Sequence, residues 1–237
     1  MPYIGQAPAP KVVTSSDLAD DVVTSANKGD TAISGFSALG ATPADTDEFL
    51  ISDAGVLKRM DYSYIKGGGG YVHISTTNIT SATANVQITS GIDSTYNSYL
   101  FVLTDVHPET DNVPLEMQLS NDGGSSYVHA HRGSLKNGNT LNHYNESDSV
   151  VDLSSNNNGN ATHEMINVQF YLHKPSASEG YKFGNGHAVQ MNQSGDLGQD
   201  VFGFVLPAAA AVNAIKFQFG SGNIDRGNFT MLGVANS

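Results

Sequence analysis

Residues 113 to 120 read Val-Pro-Leu-Glu-Met-Gln-Leu-Ser. Val113, Leu115, Met117 and Leu119 alternate with Pro114, Glu116, Gln118 and Ser120, a period of two that gives a strand one dry face and one wet face. The pattern recurs at Ala84, Val86 and Ile88, and again at Ile166, Val168, Phe170 and Leu172. Tyr99 to Val106 is almost continuously apolar, the signature of a central strand covered on both sides. Phe202 to Leu206, Ile215 to Phe219 and Phe229 to Val234 add three more strands. The run Ala208 to Val212 follows Pro207 and is too short for a stable helix, so it reads as a connection. A chain dominated by this period folds as all-β. Roughly eight to ten strands from Tyr71 onward, without a long helix, predict a two-sheet sandwich of jelly-roll type.

Composition agrees. Of 237 residues, 39% are hydrophobic and 14% charged, with Ser, Thr, Asn and Gly filling the difference. Those residues favour turns and strand edges over helix interiors. The net charge of −12, from 23 acidic and 11 basic residues, repels phosphate backbones and argues against nucleic-acid binding. Without cysteine there is no disulfide, thiolate metal site or cysteine nucleophile, which fits synthesis in a reducing cytosol. The opening MPYIGQAPAP has neither the basic nor the apolar part of a signal peptide, and no window reaches the length of a membrane span.

The chain divides into an arm (1–32), a small module (33–66), a glycine linker (67–70) and a domain-sized head (71–237). Pro2, Pro8 and Pro10 hold the arm extended. Val12-Val13-Thr14-Ser15 recurs as Val22-Val23-Thr24-Ser25, and SSDLADDVV between them predicts a short helix capped by Ser16 or Asp17. In the module, Phe49-Leu50-Ile51 and Val56-Leu57 flank Ser52-Asp53-Ala54-Gly55, a hairpin signal, with Met60, Tyr62, Tyr64 and Ile65 as a further apolar edge. A lone hairpin is barely stable and the module lies below about 40 residues, so it needs outside support, most simply from oligomerisation. Gly67 to Gly70 form a flexible joint and not a phosphate loop, because Tyr71-Val72-His73-Ile74 continues as a strand. In the head, Asn121-Asp122-Gly123-Gly124 is expected to turn the chain so that Tyr127 to His131 returns beside the strand at 113–119.

Few residues promise chemistry. His129 and His131 share a strand face and would offer two imidazoles to one metal, six in a threefold assembly; the alternative is a pair of surface histidines. Asp105, His107, Glu109 and Asp111 offer oxygen ligands at calcium-like spacing, but without a calcium loop's glycine they read as a solvated loop. His163-Glu164-Met165-Ile166-Asn167 breaks the zinc-protease pattern at its last position and lies in strand periodicity. Gly35 to Gly40 has the wrong spacing for a serine-hydrolase elbow. The reading is of a protein that is not an enzyme and uses no cofactor or metal. Tyr127, Tyr144, Tyr171 and Tyr181, with Asn-rich loops at 137–145 and 156–160, would read sugars by stacking and hydrogen bonding, or are ordinary loop residues.

Three stretches carry a likeness. Pro2-Tyr3-Ile4-Gly5 with the Val-Thr-Ser and SDLADD segments, GATPADTDEFLISDAGVLKRMDYSYI (Gly40 to Ile65), and IKFQFGSGNIDRGNFTMLGV (Ile215 to Val234) resemble tail-fibre and related appendage proteins of tailed bacteriophages, of marine podovirus type. The resemblance implies a virion protein made in the host cytoplasm. It implies a homotrimer attached to phage tail or capsid protein through Pro2, Tyr3, Ile4 and Gly5, with the head contacting a host-surface glycan or receptor and no membrane insertion. A capsid-attached head fibre or decoration protein, and a glycan depolymerase, are the alternatives. In a trimer the closing strand has two dry partners: Phe229 and Met231 would face the core, and Leu232 and Val234 a neighbouring subunit, or the reverse. In a monomer the strand would instead be central.

Overall fold

A computed structural model describes residues 37–65, 70–127, 131–137, 140–154 and 158–235, with the side chains of 131–148 excepted. The arm with Pro2, Tyr3, Ile4 and Gly5, the Val-Thr-Ser repeat and its helix, Gly67 to Gly69, His129 and the His131 side chain lie outside the described residues. The chain forms two compact units, Met1–Lys66 and Gly67–Ser237.

The first unit contains the expected hairpin. Strand β1 (Glu48–Asp53) pairs with β2 (Val56–Asp61) through a two-residue turn at Ala54 and Gly55. Both turn residues have positive φ, 51° and 85°, which matches the twist of the strands they join. Arg59 Nε lies 2.8 Å from Glu48 Oε1, and Lys58 pairs with Asp53. The expected edge after Met60 becomes instead one helical turn, α1 (Tyr62–Ile65), with the Tyr62 ring 6.0 Å from Phe49. Leu50 and Leu57, diagonal neighbours on one face, are 79% and 69% exposed.

The second unit is all-β and antiparallel. Its larger sheet has the order β3-β14-β5-β10-β11-β12-β7-β8. These are β3 (Tyr71–Ile79), β5 (Ser98–Pro108), β7 (His131–Asn137), β8 (Thr140–Asp148), β10 (Ile166–His173), β11 (Lys182–Met191), β12 (Leu197–Leu206) and β14 (Ile224–Val234). The smaller sheet has the order β4-β13-β6-β9, from β4 (Val86–Ile88), β6 (Leu115–Ser120), β9 (Val151–Asp152) and β13 (Ala214–Phe219).

Alternation decides which side chains meet between the sheets. Phe101, Phe170 and Phe229 point inward from the larger sheet, and Phe217 enters among them from the smaller one. Ring centroids lie 4.9 Å apart for Phe101–Phe170, 6.1 Å for Phe170–Phe217 and 5.5 Å for Phe217–Phe229. Each buried ring contributes about 1.5–3 kcal/mol. As Ile166, Val168, Phe170 and Leu172 predicted, the inner face of β10 is fully dry. Among the described residues, no helix is long and apolar enough to cross a membrane.

Two expectations about chain path are corrected. Residues 120–126 do turn, with Gly123 and Gly124 at φ 74° and 88°, but β6 is flanked by β13 and β9. From the turn the chain leaves the smaller sheet, and β7 pairs with β12 and β8 in the larger one. The Asn-rich stretch 137–145, expected as a loop, falls largely in the β7–β8 pair. Together with the two-residue β9, this raises the strand number above the expected range.

The closing strand β14 is central, hydrogen-bonded to β3 on one side and β5 on the other. Phe229 and Met231 are buried in the core, while Leu232 and Val234 are half-buried on the outer face. Ala235 N donates to Gly70 O at 2.9 Å, so the two ends of the unit meet.

Candidate functional site

The outer face of the larger sheet carries polar side chains on β10 and β11 among apolar ones. Register aligns them in rows across the strands. One row runs Val201, His187, Gln169, Val102, Thr230; the next runs Gly203, Asn185, Tyr171, Leu100, Leu232; a third runs Val205, Phe183, His173, Ser98, Val234. Over β10, β11 and β12 the surface dips into an open groove of about 450 Å³ lined by Gln169, Tyr171, Asn185, Gly186, His187, Gln199 and Val201. Gly203, the direct neighbour of Asn185, contributes no side chain, which leaves the dip open.

Beside the groove a hydrogen-bonded chain crosses three strands. Ser98 Oγ lies 3.0 Å from His173 Nδ1, and His173 Nε2 lies 2.9 Å from Asn185 Oδ1. An amide oxygen only accepts, so Nε2 carries the proton and Nδ1 accepts from the Ser98 hydroxyl. The order hydroxyl–imidazole–amide resembles that of an activated nucleophile. The two bonds orient the imidazole between the hydroxyl and the amide. His173 also stacks on Tyr171, with ring planes 6° apart.

The Tyr171 hydroxyl meets that of Tyr71 across β14 and β5. This bond holds the Tyr171 pKa above its ordinary value, with burial adding to the shift. Leu100 lies on the outer face in the spanned region and is only 2% exposed.

The sequence-predicted sugar readers disperse. Tyr171 lines the groove. Tyr127 lies instead against the smaller sheet: its hydroxyl donates to Gln87 Oε1 at 2.8 Å, and Lys216 Nζ sits 4.7 Å over its ring. Tyr181 is exposed just before β11, and the Tyr144 side chain is outside the described residues. Asn158 is no surface reader. It is buried, and its Nδ2 donates to Val113 O at 3.0 Å.

The loop reading of Asp105 and His107 is also corrected, since both belong to β5. A bulge there, with Asp105 at φ 54° and register shifts against β14, aims their side chains at neighbouring segments. Arg226 Nε sits 3.3 Å from the Asp105 carboxylate, and His107 Nε2 donates to Ala161 O at 3.0 Å. Asn223 Nδ2 donates to Glu109 Oε2 at 2.7 Å, and Asn160 N to Asp111 Oδ1 at 3.3 Å. Glu164 accepts from Ala161 N at 2.8 Å within its own turn. These groups stitch β5, β14 and residues 159–164 together. Among the described residues, no three His, Asp or Glu side chains form a metal site.

Sequence reasoning missed Ser98, Gln169, His173, Asn185, His187, Gln199 and Val201. The available signal was the stretch KFGNGHAVQM, in which small inner residues (Gly184, Gly186, Ala188) alternate with larger outer ones. Comparisons with protein-family models, curated proteins and solved structures each gave no match.

Proposed function

We propose that this chain is a bacteriophage virion protein, a trimeric fibre whose N-terminal arm attaches to the particle and whose C-terminal head, a jelly-roll-like sandwich, contacts a host-surface glycan. The groove over β10–β12 carries the reading. Amides, an imidazole and a tyrosine on a rigid sheet are the side chains that match hydroxyl-rich, partly apolar sugar rings. Its volume falls in the range of ligand sites, about 300–1,000 Å³. Among the described residues its lining has no carboxylate pair, which favours binding over glycoside cleavage. Self-association is supported by the hairpin, whose Leu50 and Leu57 stay open to solvent although a lone hairpin needs a packing partner. Leu232 and Val234, with Tyr71 beside them, form the apolar part of the same outer face and are the proposed seam between heads. Three linked heads convert weak sugar contacts into avid attachment.

Solution mass tests the assembly. Sedimentation of the full chain should give three times the 25.0 kDa protomer, and a monomer at micromolar concentration contradicts the proposal. Imaging particles with a labelled head distinguishes tail from capsid attachment.

A further inference from the structure

Tyr171 and Tyr71 meet hydroxyl to hydroxyl although their strands are not neighbours. Between β10 and β3 lie β5 and β14, so the pair spans three strand spacings of about 4.8 Å each. Both side chains therefore run along the sheet surface toward each other. The Tyr171 ring also stacks on His173, two residues further along the same face of β10, with planes 6° apart. Gln169, two residues in the other direction, lines the groove together with Tyr171, whereas His173 does not. The groove thus lies on the side of the ring opposite His173. Tyr71 is not among the described residues that line it. Its own place is set by pairing with Val234 and by the bond from Ala235 N to Gly70 O beside it.

We infer that Tyr71 is a positioning residue of the groove: its hydroxyl holds the Tyr171 ring as a fixed wall against which the C–H face of a saccharide ring stacks. This rests on the glycan reading of the groove. A tyrosine side chain turns about two torsions. A bond at its far end and a second ring against one face restrict both before any ligand arrives, so less freedom is lost on binding. Tyr71 touches no ligand in this scheme and acts only through the Tyr171 hydroxyl. The bond leaves its own mark, since it is the first cause of the raised Tyr171 pKa.

The test uses saturation-transfer NMR on the full chain, with methyl glycosides of glucose, galactose and mannose. Single sugars keep avidity out of the measurement. Wild type should transfer saturation to the glycosides. Tyr71→Phe deletes one hydroxyl and keeps the ring, and it should weaken binding about three- to ten-fold, the scale of one hydrogen bond. Tyr171→Phe should weaken it by the same factor, and the double variant no further, because each change removes the same bond. A merely structural role for Tyr71 would make the two losses add. In Tyr71→Phe, spectra of ring-labelled tyrosine should show Tyr171 ionising at lower pH than in wild type. Undiminished binding by Tyr71→Phe, additive losses in the double variant, or an unmoved Tyr171 ionisation overturns the inference and leaves the groove as a glycan site. Absence of transfer to every glycoside overturns the inference and the glycan reading together.

Discussion

Lys182 is fully buried at the start of β11, where its ammonium donates to Gly180 O at 2.9 Å. Burial pushes its pKa below the ordinary value of 10.5. A depressed lysine means that the unfolded chain holds the proton more tightly than the folded one. The penalty is therefore full at neutral pH and fades as pH rises toward 10.5. Lys182→Met should stabilise the head by about 1 kcal/mol at pH 7. The gain should shrink at pH 10.5, as urea midpoints at the two pH values would show. Two glycines make a second comparison. A Cβ at Gly186 would lie 2.4 Å from Gln169 O and from Phe170 Cβ, whereas at Gly203 the nearest atom is 3.7 Å away. Gly186→Ala should therefore cost about 1–3 kcal/mol and Gly203→Ala much less, again read from urea midpoints. These positions explain why the groove was hard to see in sequence. The Phe204 ring at Gly184, and the Gln169 carbonyl with Phe170 Cα and Cβ at Gly186, occupy the space a side chain would need, so the inner face of β11 is small where other strands are large, and the apolar alternation fades. In β10 no such exchange occurs, and Ile166 to Leu172 announces itself.

At the scale of elements, turn chemistry was legible but its destination was not. Asp122 accepts from the Ser126 side chain and backbone and from Ser120, and these bonds lower its pKa to about 2. A depressed carboxyl contributes stability that is present above its ordinary value of 3.8 and is lost as pH falls toward about 2. Asp122→Asn should flatten the acid end of the stability curve between those values, measured by thermal melts across that range. Nothing in Asn-Asp-Gly-Gly says whether the next strand joins the same sheet, and here it joins the other. The stretch 137–145 was read as loop because its Asn and Gly residues carry turn propensity, which pairing at the far side of a large sheet overrides. The hairpin at 48–61 was legible at its turn, because the residues there fix its register locally, whereas its strands run further than the apolar runs 49–51 and 56–57. Leu50 is already exposed, so Leu50→Lys should leave the hairpin folded while lowering the mass seen by sedimentation.

For the whole molecule, the closing strand shows what only tertiary structure can supply. Its inner apolar face is explained within one chain, since Phe229 and Met231 are turned into the core, while Leu232 and Val234 stay half-buried on the outer face of a strand paired with β3 and β5. The head cannot complete its larger sheet until its last residues are in place, and the bond from Ala235 to Gly70 then closes the unit. The outcome is a rigid sheet whose outer face divides by strand: an apolar part along β14 and β5, and a polar groove along β10, β11 and β12. That groove is the proposed glycan-contacting surface. Binding of the full chain to a glycan array, wild type beside Tyr171→Ala, tests this most directly. Wild type should bind a discrete set of saccharides that the variant fails to bind at the same concentration. Binding to no saccharide, or binding undiminished by the loss of Tyr171, would contradict it.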